Sequence, residues 1–138
     1  DLDKFKPIND NYGHDVGDLV LTTISERLSQ ASDELDINAI RWGGDEFLIG
    51  ISASHPKIVE NYAEVMLANV QQPITIDQNL SVSVGASIGI ITLTALQAQT
   101  TEIDDLINKS DALMYDVKQS SKNSFTIVAY QNELLSKN

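Results

Sequence analysis

The 138-residue sequence contains no cysteine, which excludes disulfides and thiolate metal sites. Its two histidines, His14 and His55, stand far apart and offer no zinc-binding pattern. Basic residues are scarce: 9 Lys and Arg oppose 20 Asp and Glu, a formal net charge of −11. Nucleic acids are held by clustered cations, so this balance argues against a nucleic-acid partner. No apolar run reaches membrane-spanning length, no signal peptide is visible, and there are no repeats or low-complexity tracts. At 42% hydrophobic and 21% charged residues the chain is too apolar for disorder. Its length suits one domain, able to bury roughly two thirds of its unfolded surface.

An acidic domain of this kind must meet any anionic ligand locally, through a cation recruited by carboxylates or through a few lysines and backbone amides. The run Arg41-Trp42-Gly43-Gly44-Asp45-Glu46-Phe47 supplies adjacent carboxylates on a glycine turn. Ile37 to Trp42 reads as a buried strand and Phe47 to Ile51 as another. Gly43-Gly44 would then form a hairpin tip with positive φ angles. A solvated turn is the rival reading for such a tetrapeptide taken alone.

A second cluster opens the chain: Asp1-Leu2-Asp3-Lys4-Phe5-Lys6, Pro7-Ile8-Asn9-Asp10 and Gly13-His14-Asp15-Val16-Gly17-Asp18. In an extended strand Asp1 and Asp3 share a face, where they could hold an oxygen-loving divalent ion. Together the two runs resemble the GGDEF family of diguanylate cyclases, over nearly the whole chain. The family's first motif reads Asp-x-Asp-x-Phe-Lys-x-Ile-Asn-Asp, and its members carry the start of that strand and a helix ahead of it. A trimmed domain is therefore expected.

Helical spacing of Val16, Leu19, Val20, Ile24 and Leu28 predicts a helix capped by Asp15 and running to about Ser29. A polar loop from Gln30 to Asp36 should follow. Ser54-His55-Pro56 opens a second helix with Ile58, Val59, Tyr62, Val65, Met66 and Val70 inward. Pro73 to Ile76 and an alternating run from Leu80 to Ile90 read as a further hairpin, with Gly85 and Gly89 marking a bulge or a close approach. A third helix from about Glu102 to Gln119 should bury Ile103, Leu106, Ile107, Leu113, Met114 and Val117, and Ser124 to Ala129 closes the fold as a strand. The pattern gives an α+β sandwich with a mostly antiparallel sheet. The resemblance implies a palm-like, ferredoxin-type β-α-β-β-α-β core with an added hairpin, related to nucleotidyl cyclase catalytic domains. Residues 1–129 would form the domain and 130–138 a tail or linker.

The resemblance also implies roles. Asp1, the Leu2 carbonyl and Asp45 would hold Mg²⁺, with Mn²⁺ as a substitute, and hard carboxylate oxygens suit such an ion. Asp45 and Glu46 would be catalytic; Asp45, Glu46 or a metal-bound hydroxide could be the base for a ribose 3′-hydroxyl, and the residues alone do not choose. Asn9 and Asp18 match guanine-binding positions. A carboxylate accepts both N1–H and N2–H of guanine, a pattern adenine lacks, although Asp18 could instead help cap its helix. Gly43 and Gly44 would let the substrate approach the backbone. Lys6, Lys118, Lys122 and the amides of Lys4 and Phe5 would meet phosphates. Lys118 and Lys122 could equally complement the dipole of the closing helix. That helix departs from the family pattern, with Ser121 for a common Gly and Lys122 for a common Arg, losing a planar grip on phosphate. Arg41, Trp42 and Phe47 read as structural, and Phe5, Ile8 and Phe47 as an apolar wall under the site.

The expected activity is condensation of two GTP to cyclic di-GMP and two pyrophosphates by a cytoplasmic homodimer. A sensor or phosphodiesterase domain could adjoin it in a parent chain, which could itself be membrane anchored. A silent GTP-binding or interaction module is the alternative, and a palm-fold polymerase is disfavoured by the absence of a basic groove. Many relatives carry an Arg-x-x-Asp inhibitory product site, and Glu34 and Ile37 replace its two residues here. Product inhibition is therefore expected to be absent.

Overall fold

The computed structural model describes residues 1–30 and 35–131. The elements are β1 (Leu2–Asp3), α1 (Phe5–Tyr12), α2 (His14–Gln30), β2 (Asp36–Gly43), β3 (Glu46–Ser52) and α3 (Pro56–Val70). They continue with β4 (Ile74–Asp77), β5 (Leu80–Val82), β6 (Gly85–Thr92), α4 (Ala95–Thr100), α5 (Ile103–Gln119) and β7 (Ser124–Ala129).

Strand β6 organises the centre. Short β1 pairs antiparallel with its first residues, Leu2 opposite Ala86, while β7 runs parallel to it from Ser87–Ser124 to Thr92–Ala129. The β2–β3 and β4–β5 pairs are separate antiparallel hairpins. Alternation along β6 divides two layers. Ala86 and Ile88 join the core with Val20, Ile24, Tyr62, Met66 and Val70 of α2 and α3. Gly89 turns the other way onto α5, where a Cβ would collide with the Ser110 carbonyl and Met114 amide. Gly85 makes room for Asn123 in the same manner. Close approach, rather than a bulge, explains both glycines.

Several sequence expectations need correction. The segment from Phe5 to Tyr12 is a helix, closed by Gly13 at φ 90°, and α2 begins at His14, so Asp15 lies in its first turn and is no cap. Pro7 hid α1, because proline fits a first helical turn as readily as a loop. The run from Leu80 to Ile90 is two strands, since the chain leaves the hairpin at Ser83–Val84 to enter the central sheet. Short α4 carries a capping box, Thr94 and Gln97, visible in the sequence as Thr-x-x-Gln but not read as such. Leu19, Val65 and Ile103, assigned inward, are exposed, with Leu21 and Ala63 buried instead. Strands β2 and β3 are half-exposed rather than buried, and Ile40 and Trp42 face outward at 54% and 55% exposure. Trp42 is therefore no core residue.

Two side chains tie helices that sequence spacing could not relate. The Arg27 guanidinium donates to the carbonyls of Asn69, Gln72 and Pro73, satisfying the end of α3. Buried Tyr62 donates its hydroxyl to the Leu28 carbonyl at 3.0 Å, and burial pushes its pKa above the ordinary tyrosine value. Tyr130, the first residue of the expected tail, is held by β-sheet and helix partners: its amide donates to Thr92 O and its hydroxyl to Asp105 Oδ2. Residues 132–138 of that tail lie outside the described residues, as does Glu34.

Candidate active site

The glycine hairpin turns at Gly44–Asp45, with Gly43 paired to Glu46 and a register shift at Trp42. Gly44 alone of the pair takes a positive φ, 55°, which corrects the expectation that both would. Neither glycine has a neighbour within 4 Å of where a Cβ would stand, so the tip is open to an approaching ligand. Arg41 Nε donates to Gly44 O at 2.8 Å and clasps the turn, a structural role as expected. Phe47 and Phe5 pack on the core and Ile8 belongs to it, making the apolar floor.

The tip is docked on β1 by one backbone bond, Leu2 N to Asp45 O at 3.1 Å. Asp1 is fixed in turn by two backbone bonds with Ser87, its nitrogen donating to the carbonyl and its carbonyl accepting from the amide. The hairpin tip and β1 thus meet at one point.

Lys118 reaches this point from α5. Its ammonium donates to Asp1 Oδ1 at 2.9 Å and to Leu2 O at 3.0 Å, with Asp3 Oδ1 at 3.5 Å. Neither of the two readings of Lys118 included this contact. A residue 117 positions away cannot be assigned to a carboxylate by spacing. Asp3 shares the lysine with Asp1, as strand alternation requires, yet its main partners are structural. It is buried at 3% exposure and accepts from Ser87 Oγ at 2.8 Å and from the Asn123 amide at 2.7 Å. Those bonds hold the turn in which Lys122 and Asn123 both take left-handed φ, 51° and 42°.

Beside this centre α1 begins without a side-chain cap, Lys4 preceding it at φ 68°. Lys4 and Lys6 are exposed, and Phe5 is half-buried. One turn after Phe5 on α1, Asn9 lies so close to Gly17 that a Cβ there would overlap its Oδ1, bringing Asn9 beside the segment that carries Asp18. Asp18 is exposed and lies past the first turn of α2, beyond the orphan amides, so the capping alternative lapses. Lys122 is exposed at the end of α5.

Among the described residues no three His, Cys, Asp or Glu side chains converge as a ready-made metal cage. The donor chemistry nevertheless fits a hard cation, because one carboxylate and one carbonyl already bind a positive charge together.

The model of the family described as "Diguanylate cyclase, GGDEF domain" matches residues 1–124. The chain belongs to the GGDEF family. It is 38% identical over 125 residues to the bifunctional diguanylate cyclase/cyclic di-GMP phosphodiesterase MucR of Pseudomonas aeruginosa, covering 91% of this chain and 18% of MucR. It is 30% identical over 126 residues to the diguanylate cyclase VdcA of Vibrio cholerae, covering 89% of this chain and 36% of VdcA. The crystal structure of the GGDEF domain of YfiN (TpbB) from Pseudomonas aeruginosa superposes with a TM-score of 0.79 at 28% identity, over 95% of this chain and 80% of that one. The palm-like α+β fold of nucleotidyl cyclases is therefore that of this GGDEF domain. The chain spans less than half the length of these two curated relatives.

Proposed function

We propose that this GGDEF domain is a diguanylate cyclase that joins two GTP into cyclic di-GMP. The observation that carries the reading is the Leu2–Asp45 backbone bond, which seats the hairpin tip beside Asp1. Asp1, Leu2 O and Asp45 would hold Mg²⁺ or Mn²⁺, which neutralises triphosphate charge and favours the attacking and leaving oxygens. Asn9 and Asp18 recognise guanine, the carboxylate accepting its N1–H and N2–H. The amides of Lys4 and Phe5, with Lys6, Lys118 and Lys122, receive the phosphates, and Gly43 and Gly44 leave the backbone accessible to them.

Each domain carries one nucleotide. In a homodimer two sites face each other, and each 3′-hydroxyl attacks the α-phosphorus of the other nucleotide. Two phosphodiester bonds form, two pyrophosphates leave, and Asp45 and Glu46 serve the site in which the hydroxyl loses its proton. The reading places the domain in the cytoplasm, where GTP is found. Among the described residues no helix is long and apolar enough to cross a membrane. The name of MucR supports a phosphodiesterase neighbour in a parent chain.

Chromatography of the products of GTP and Mg²⁺ tests the reading. Cyclic di-GMP should form with the wild-type protein and fall below detection with Asp45→Ala or Glu46→Ala, whose melting curves stay close to wild type. Binding of GTP without turnover would assign the chain instead to a silent module.

A further inference from the structure

We propose that Lys118 is the resident counter-ion of the Asp1–Leu2 oxygen pair, and that a divalent ion enters only as this ammonium leaves. The inference rests on reading Asp1, Leu2 O and Asp45 as the metal-holding groups. Lys118 Nζ stands 2.9 Å from Asp1 Oδ1 and 3.0 Å from Leu2 O, so two of those three groups are already spent on a cation. An ion bound to the same oxygens at about 2.1 Å would lie within a few ångströms of the ammonium. Two positive charges so close repel strongly in a partly buried site, and the oxygens cannot serve both.

The surroundings make an exchange feasible rather than a permanent lock. The lysine side chain keeps 29% of its surface exposed, a way out toward solvent. Asp3 does not need it, since Ser87 Oγ and the Asn123 amide already hydrogen-bond that carboxylate and keep its charge satisfied. Lysine suits the task better than arginine, being a compact point charge on a flexible stem without planar two-point bonding. The displaced ammonium gains a new anionic partner when a triphosphate arrives. Metal and nucleotide should therefore enter together, and the bare ion should bind poorly.

Mn²⁺ titration followed by electron paramagnetic resonance, without nucleotide, measures the exchange directly. Lys118→Met should bind Mn²⁺ at least about tenfold more tightly than wild type, and a further Asp45→Asn should remove the gain. Equal or weaker binding by Lys118→Met, in a protein whose Asp45→Asn variant still loses affinity, overturns the role of Lys118 and leaves the metal site standing. Mn²⁺ binding insensitive to Asp45→Asn and Asp1→Asn in both backgrounds overturns the metal-site reading and the inference with it. Wild-type protein provides a check independent of whether Lys118→Met folds. The Lys118 ammonium signal in nuclear magnetic resonance should be hydrogen-bonded without metal and shift on saturation with Mg²⁺ and a non-hydrolysable GTP analogue. A signal that holds its position under saturation contradicts the exchange.

Discussion

Asp18 and Tyr62 show how differently two single side chains report on this domain. Asp18 is exposed on α2, past the amides a cap would serve, so its loss should leave folding nearly untouched. Asp18→Ala is expected to weaken GTP binding at least tenfold in calorimetric titration while thermal stability changes by less than the ~1 kcal/mol of a lost cap. Tyr62 has the opposite character, with its hydroxyl buried against Leu28 O. Its folded pKa is raised from 10.0, so the folded state retains its proton at pH values where the unfolded chain begins to lose it. The resulting stability is complete below pH 10 and is lost as pH rises above it. Chemical denaturation across pH 8 to 11 should show this decline, and Tyr62→Phe should flatten it at a cost of about 1 kcal/mol near neutral pH. Asp45, Glu46, Asp1 and Asp18 were legible in the sequence as members of the motifs that carry the family resemblance. The role of Asp3 was not. Its partners Ser87 and Asn123 lie 84 and 120 residues away.

Among the elements, the end of α5 sets stability against the phosphate contact proposed for Lys122. Lys122 and Asn123 occupy the left-handed region, which side chains other than glycine enter at a cost of about 1 kcal/mol each. Asp3 pays part of that cost through its bond to the Asn123 amide. Lys122→Gly should therefore raise the urea midpoint, by up to ~1 kcal/mol of stability, and at the same time lower GTP affinity through loss of a phosphate cation. A variant that loses stability would show that the turn is not strained at Lys122. Long helices were readable because their apolar spacing is periodic over many residues, as in α2, α3 and α5. Short α1 and α4 offered too few turns for that signal. The break between β5 and β6 was hidden because alternation continues through it while the chain changes partner, from β4 to β1 and β7.

For the whole molecule, the proposed chemistry needs two domains, and each brings a formal charge of −11. Self-association of such acidic bodies is opposed by repulsion that salt screens. Specific activity should rise with protein concentration below the dimer dissociation constant and, at fixed low protein, rise with moderate salt before Mg²⁺ and GTP binding are themselves screened. Initial rates over a concentration series, with sedimentation alongside, check this; a specific activity independent of concentration in a monomeric protein would contradict the dimer. Feedback is also a property of this scale. Ile37 of β2 packs against the core, and the acidic residue Glu34 replaces the arginine expected for product binding. Rates measured against rising cyclic di-GMP should therefore show no strong non-competitive inhibition at that position.

The sequence by itself determined the family and the long elements, since motifs and periodicity are local and survive without knowledge of the fold. Tertiary structure alone decided which of the paired aspartates is held by Ser87 and Asn123 and which takes the Lys118 hydrogen bond, that Gly89 and Gly85 are contact points, and that Arg27 closes α3. It also brought Lys118 onto Asp1 and Leu2. The physical reason is common to these cases: a buried charge, a close backbone approach or an ion pair is defined by partners distant along the chain, and only the packing of α5 and β1 on β6 and of α2 beside α3 brings those partners within bonding distance.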